Sequence, residues 1–190
     1  PICDKTAHKG EWISAPGDKL FKILHSTINN FNVIVEDLGD VTEDVINLRS
    51  KNDFPGMHVL QFESDKILEN EDFPVNSLVC TGTHDNDTIL GWLKTLDKNK
   101  FFIFFNCNEE NIHWGFINYA LGTSSNMVVL PMQDILGKKS VSRFNIPGTL
   151  SSSNWSWRMG SQELTDVIIA KMKALTEKNR RNMFNIKSLA

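Results

Sequence analysis

Two acidic clusters in this chain each follow a short apolar run. Val33-Ile34-Val35 leads directly into Glu36-Asp37. Leu78-Val79-Cys80-Thr81 leads through Gly82-Thr83 into His84-Asp85-Asn86-Asp87. If both runs are parallel strands, each brings a carboxylate to the same end of the sheet, where folds built from β/α units gather their catalytic groups. Carboxyl groups placed so suit cleavage of a glycosidic bond. One acid protonates the leaving oxygen, and a carboxylate stabilises the positive charge developing at the anomeric carbon. His84 adds a donor suited to sugar hydroxyls. A plainer reading stands beside this one. An acidic residue after a strand often caps the next helix, and Asp37 and Asp87 fit that role. A metal site is a third reading of the His84–Asp87 run. Its spacing matches neither a zinc motif nor an EF-type calcium loop, so no metal is expected. His8, His25, His58 and His113 have no partners close in sequence and read as structural or solvent-facing.

A second candidate region is Asn145-Ile146-Pro147-Gly148-Thr149 followed by Asn154-Trp155-Ser156-Trp157-Arg158. Pro-Gly marks a turn. Sugars are held by aromatic faces against their C–H surfaces and by planar hydrogen-bonding groups, and Trp, Asn and Arg supply both. The alternative for Trp155 and Trp157 is packing of the last helix onto the sheet.

The elements that must position these groups alternate between β and helical patterns. Pro16-Gly17-Asp18 begins a helix with Leu20, Phe21, Leu24 and Ile28 on its apolar face. Thr42 is placed to cap a short helix carrying Val45, Ile46 and Leu48. Four strands are expected: Val33–Val35, Val59–Phe62, Leu78–Thr81 and Met127–Leu130. Helices are expected after Asp87, over Glu109–Leu121, as a short turn at Pro131–Leu136, and from Ser161 to about Arg181 with Leu164, Val167, Ile168, Met172 and Leu175 on one face. Strands alternating with helices indicate parallel βαβ units, and continuous apolar strands are those covered on both faces. Such a set makes either a small open sheet or half of an eight-stranded barrel.

Composition excludes several classes. The chain has 190 residues, 41% of them apolar, enough for a sizeable core. A formal net charge of −3 with scattered lysines gives no footprint for nucleic acid or an anionic membrane. The longest apolar run, Phe101 to Phe105, is too short to span a bilayer. Cys3, Cys80 and Cys107 form no CxxC pair and read as reduced thiols, which points to the cytoplasm. No signal pattern opens the chain, which starts without Met and reads as cut from a longer protein.

Taken in order, the motifs resemble one family. Ile34-Val35-Glu36-Asp37-Leu38-Gly39 with Thr42 and Val45, Phe54-Pro55-Gly56-Met57-His58-Val59-Leu60-Gln61-Phe62, and Thr81 through Trp92 are similar to segments of the amylomaltases, glycoside hydrolase family 77. Pro131-Met132-Gln133-Asp134-Ile135-Leu136-Gly137, Asn145–Thr149 and Asn154–Arg158 continue the collinear match, and Gly10–Gly17 resembles the family's GxWxxGPG stretch. The resemblance implies the C-terminal half of a (β/α)8 barrel, about four parallel strands corresponding to the fifth through eighth, over residues 1–190 with a terminal helix at 161–181. It implies a 4-α-glucanotransferase that moves α-1,4-glucan segments, by a retaining double displacement, to glucose or a maltooligosaccharide acceptor, without a cofactor. Glu36 matches the general acid/base and Asp85 the transition-state stabiliser. His84, Asn145 and Pro147 are the expected substrate contacts. The family's nucleophile, an Asp in a D-H-F-R-G segment, has no counterpart here, and Asp4 is not in that context. The nucleophile is therefore expected in sequence preceding this chain. An amylase-like hydrolase and a non-catalytic glucan-binding half-barrel are the alternative readings.

Overall fold

The computed structural model describes residues 10–11 and 13–181; Cys3, Asp4 and His8 lie outside them. Three strands form a parallel sheet in the order β1-β2-β3: β1 is Gly56–Val59, β2 Ser77–Cys80 and β3 Met127–Val129. Helices α1 (Gly17–Thr27) and α2 (Glu43–Lys51) precede the sheet, and α3 (Ser64–Leu68) joins β1 to β2. Then α4 (Ile89–Trp92), α5 (Lys98–Phe105) and α6 (Ile112–Gly122) join β2 to β3, followed by α7 (Met132–Ile135) and α8 (Asp166–Lys178). None of these helices is long and apolar enough to cross a membrane.

The register sorts side chains onto two faces. Met57, Leu78 and Met127 align, as do Val59, Cys80 and Val129. Val59, Leu78 and Cys80 pack with Leu38, Met57 and Met127 into a small apolar cluster on one face. On the other, Val79 joins the main core of Leu60, Ile67, Phe73, Ile89, Leu93, Phe101, Ile112, Phe116 and Ala120, supplied largely by α3 to α6. The central strand β2 is buried along its whole length, whereas Val129 of β3 is 51% exposed on the small-cluster face. Arg181, beyond α8, donates to the carbonyls of Leu121, Thr123 and Ser125.

Several expected elements shift for local physical reasons. Residues 33–35 join no ladder, so among the described residues the sheet has three strands rather than four. Val35 N–H donates to Pro55 O at 3.1 Å, but the Met57 amide donates to the Asp37 carboxylate instead of a backbone carbonyl. The strand expected at Val59–Phe62 lies three residues earlier. Leu60–Phe62 turn into a 3₁₀ coil that drops Leu60 into the core and aims Gln61 under β2. Helix α5 is one the apolar run Phe101–Phe105 did not announce. Asp97 caps it, accepting from Asn99 N–H, and left-handed Asn106 ends it. Helix α6 begins at Ile112 rather than Glu109, because Asn108 and Asn111 hold residues 108–111 in a turn with side chain-to-backbone bonds. Helix α8 begins five residues later than expected, after a turn in which Glu163 accepts from Gly160 N–H and Thr165 caps Ile168 N–H. On α8, Ile168, Met172 and Leu175 are half-buried while Val167 is exposed, as is Leu164, which precedes the helix. Thr42 precedes α2 as expected but its hydroxyl makes no capping bond. The cap of α4 is Thr88, not Asp87.

His113 is buried on α6, and its Nδ1 has no hydrogen-bond partner among the described residues. Burial, with Lys171 nearby, pushes its pKa down from 6.5 to about 4. Asp134 on α7 moves the other way: burial, aided by the Asp87 charge, raises it from 3.8 to about 6. A depressed histidine stabilises the fold above its ordinary value and loses that contribution as pH falls from 6.5 towards 4. A raised carboxyl does the reverse, losing its contribution as pH rises from 3.8 through 6. The two trends oppose each other, so single variants separate them. Thermal midpoints measured against pH should fall less on acidification in His113→Leu than in the native protein. Parallel curves would show that this histidine does not carry the acid sensitivity.

Candidate active site

At the carboxyl ends of the strands lies a cleft of about 550 Å³. Its walls include Glu36, Gly82, Thr83, His84, Asn86, Asp87, Arg143, Trp157 and Arg158, and Met57, Leu78 and Cys80 of the sheet contribute its apolar floor. The two acidic segments singled out in the sequence therefore border one space.

Glu36 is exposed at the cleft, and Asp37 beside it fixes its segment. The Asp37 carboxylate accepts from Met57 N–H at 2.7 Å and pairs with Arg49 of α2. Gly56 makes room for this pair: a Cβ there would stand 1.8 Å from Arg49 Nη1 and 2.8 Å from Asp37 Oδ2. Asp37 is thus a tether rather than a helix cap.

The segment from Gly82 to Thr88 connects β2 to α4 and carries His84 and Asp85. Asn86 Oδ1 accepts from Thr83 N–H and Thr83 Oγ1–H, both at 2.8 Å, and Thr83 Oγ1 accepts from Asp85 N–H at 3.2 Å. Asp85 Oδ1 accepts from Asn145 Nδ2 at 2.6 Å and lies 3.5 Å from His84 Nε2. Arg143 donates to the backbone carbonyls of Asp85 and Asn145. Trp155 packs its ring 5.1 Å from that of His84 and edge-on to Phe144. Its backbone is left-handed, at φ 63°, an uncommon conformation for a bulky residue and one often associated with function.

The structure places Glu36 and His84 on the walls of the cleft; Asp85 and Asn145, bonded to each other, are not among its lining residues and adjoin it through His84 and Arg143, which are. Pro147 does not line it; this residue sits on the exposed 145–149 turn that ends in left-handed Gly148. Arg143 is a site residue that sequence reasoning missed, since nothing in its local sequence marks it. Two more lie beneath the loop. Asp134 accepts from Thr81 Oγ1–H and Ile89 N–H, and Gln61 Nε2 donates to Thr81 O and Asp87 O. Among the described residues, no group of three or more His, Cys, Asp or Glu could hold a metal ion. Chemically, the cleft offers carboxylates for proton transfer and charge stabilisation, with amide, guanidinium, imidazole and indole groups for a polyhydroxylated ligand.

These features define the class: an α/β protein with a carboxylate-bearing cleft at the carboxyl ends of a parallel sheet. The chain belongs to the 4-alpha-glucanotransferase family, whose model matches residues 1–164. It is 42% identical to the chloroplastic/amyloplastic 4-alpha-glucanotransferase of Solanum tuberosum, over 93% of this chain and 32% of that protein. To the 4-alpha-glucanotransferase of Synechocystis it is 37% identical, over 97% of this chain and 38% of that protein. Among solved structures, the amylomaltase from Streptococcus agalactiae in complex with acarbose superposes with a TM-score of 0.83 at 31% identity, over 93% of this chain and 37% of that one. The chain spans about a third of the length of the curated relatives it matches.

Gly56 tests the tether that holds Glu36. Gly56→Ala displaces the flexible end of Arg49 from Asp37 and should cost about 1 kcal/mol of stability, the upper scale for a partly exposed ion pair. Combined with Asp37→Asn, the losses should be less than additive, because both changes break the same pair. Additive losses in a double-mutant cycle of unfolding free energies would contradict this role for the glycine.

Proposed function

We propose that this chain is the C-terminal part of a 4-α-glucanotransferase that moves α-1,4-glucan segments onto glucose or maltooligosaccharide acceptors. The observation that carries the reading is that Glu36 and the His84–Asp87 loop border one cleft at the strand ends. Family membership supports the substrate class. In the finer architectural reading, residues 1–190 are half of a (β/α)8 barrel, with the missing strands covering the face where Val129 is half-exposed. Free thiols at Cys80 and Cys107 fit a reducing compartment such as the cytoplasm.

The mechanism assigned to these residues is a retaining double displacement. Glu36 protonates the glycosidic oxygen as its bond to the anomeric carbon breaks, and the leaving glucan departs as an alcohol. A nucleophilic carboxylate from outside these residues bonds to the anomeric carbon. Asp85, oriented by the Asn145 amide, stabilises the positive charge passing through that carbon. Glu36, now ionised, then takes the proton of an acceptor hydroxyl, whose oxygen displaces the enzyme carboxylate. The configuration is inverted twice and so retained. Transfer requires a sugar hydroxyl to outcompete water. The exposed Trp155 indole, tilted against His84, offers a flat face for such a sugar.

In the full-length protein, Glu36→Gln should lose at least about 10²–10⁴-fold in maltotriose disproportionation, the usual worth of general acid–base catalysis. A donor with an activated leaving group, which needs no protonation, should recover the first step. Asp85→Asn should lose turnover with no such recovery, since charge stabilisation serves every leaving group. Equal losses for Glu36→Gln on both donors would remove its acid/base role. Glucose and maltose as the only maltotriose products would favour the hydrolase reading.

A further inference from the structure

The loop carrying His84 and Asp85 is shaped at its tip by bonds among its own residues and to Arg143 and Asn145, and anchored at its base by two further side chains. Asp134 of α7 is 2% exposed. Its Oδ2 accepts from Thr81 Oγ1–H at 2.6 Å, just before the loop, and its Oδ1 accepts from Ile89 N–H at 2.8 Å, just after it. Gln61 reaches from the turn after β1 and spans the same gap. Its Nε2 donates to Thr81 O at 3.2 Å and to Asp87 O at 2.7 Å. Gly82 leaves space for this amide, because a Cβ there would lie 2.8 Å from Gln61 Nε2. Each strap ties the chain entering the loop to the chain leaving it.

A buried carboxylate is a costly way to join two segments. Its desolvation is only partly offset by the two bonds it accepts, and apolar replacements of buried charged groups are often no less stable. What an apolar residue cannot do is fix the separation and angle of the loop's two ends.

We propose that Asp134 is a positioning residue, which with Gln61 sets the placement of the loop that carries His84 and Asp85 at the cleft. The inference deepens the glucanotransferase reading and takes its catalytic readout from it.

The test uses the full-length protein and three variants, with maltotriose kinetics, thermal unfolding and amide hydrogen exchange of the 81–90 segment. Asp134→Ala removes both bonds. Its kcat per folded molecule should fall about 10²-fold, the scale of a misplaced catalytic group, with a much smaller change in KM. Exchange at Thr83, Asp85 and Ile89 should rise. Asp134→Asn keeps an oxygen for Ile89 N–H and an amide hydrogen for Thr81 Oγ1, so it should recover most of kcat and the protection. Thr81→Val loses one strap bond and leaves Asp134 Oδ2 buried without that donor, while the Ile89 bond to Oδ1 remains. It should fall between native and Asp134→Ala, and it decides the matter with Asp134→Asn if Asp134→Ala does not fold. Native kcat and native loop exchange in Thr81→Val or in folded Asp134→Ala, whatever the thermal midpoint, would overturn the proposal. If the native protein neither transfers nor hydrolyses maltotriose, the functional reading fails. The exchange data then still decide the positioning claim: unchanged loop exchange in the variants refutes it, and increased exchange upholds it.

Discussion

A parallel sheet orders its strands by backbone bonds, but those bonds stop where the strands end, and the loops beyond must be held by something else. Here side-chain oxygens do the holding. The Asp37 carboxylate takes the Met57 amide and the Arg49 guanidinium, so the Glu36 segment is fixed beside the start of β1 without being a strand. The Asp134 carboxylate and the Gln61 amide close the base of the loop that leaves β2. The strands supply the apolar floor of the cleft through Met57, Leu78 and Cys80, and these polar ties hold the walls that lie beyond the strands.

The ties constrain the neighbouring sequence. Gly56 and Gly82 are small because a charged pair and an amide, respectively, occupy the space a side chain would fill. The core works as their foundation. Leu60 is fully buried immediately before Gln61, and Ile89, whose amide Asp134 engages, is buried in the same cluster. Burying these apolar side chains sets the positions of the polar groups beside them, at a scale of about 1.5–3 kcal/mol each.

Much of this was legible in the sequence where the signal is local. Helices α1 and α2 begin where Pro16-Gly17-Asp18 and Thr42 indicate. Strand β2 lies within one residue of the apolar run Leu78–Thr81, and β3 within Met127–Leu130. Illegible features have non-local causes or weak periodicity. The run through Leu60 and Phe62 looks like a strand because nothing polar interrupts it except Gln61, the residue that the turn delivers to β2. Helix α5 presents apolar residues on every side of Phe101–Phe105, so it has no amphipathic pattern to read. The acidic runs at Glu36 and Asp85 were visible as motifs. Their supports were not, since Asp134 meets Thr81 and Ile89 across 53 and 45 residues, and Arg143 reaches Asp85 across 58.

The proposed function has Glu36 and Asp85 act on one sugar at this cleft, whose wall holds Glu36 and, from the loop that carries Asp85, His84. A crystal structure of the full-length Glu36→Gln protein with a bound maltooligosaccharide tests it most directly. The account predicts a single glucose ring between the substituted side chain and Asp85, with the introduced amide at the glycosidic oxygen and the Asp85 carboxylate on the hydroxyls of that ring. A sugar bound away from this cleft, or one that touches only one of the two positions, would contradict it.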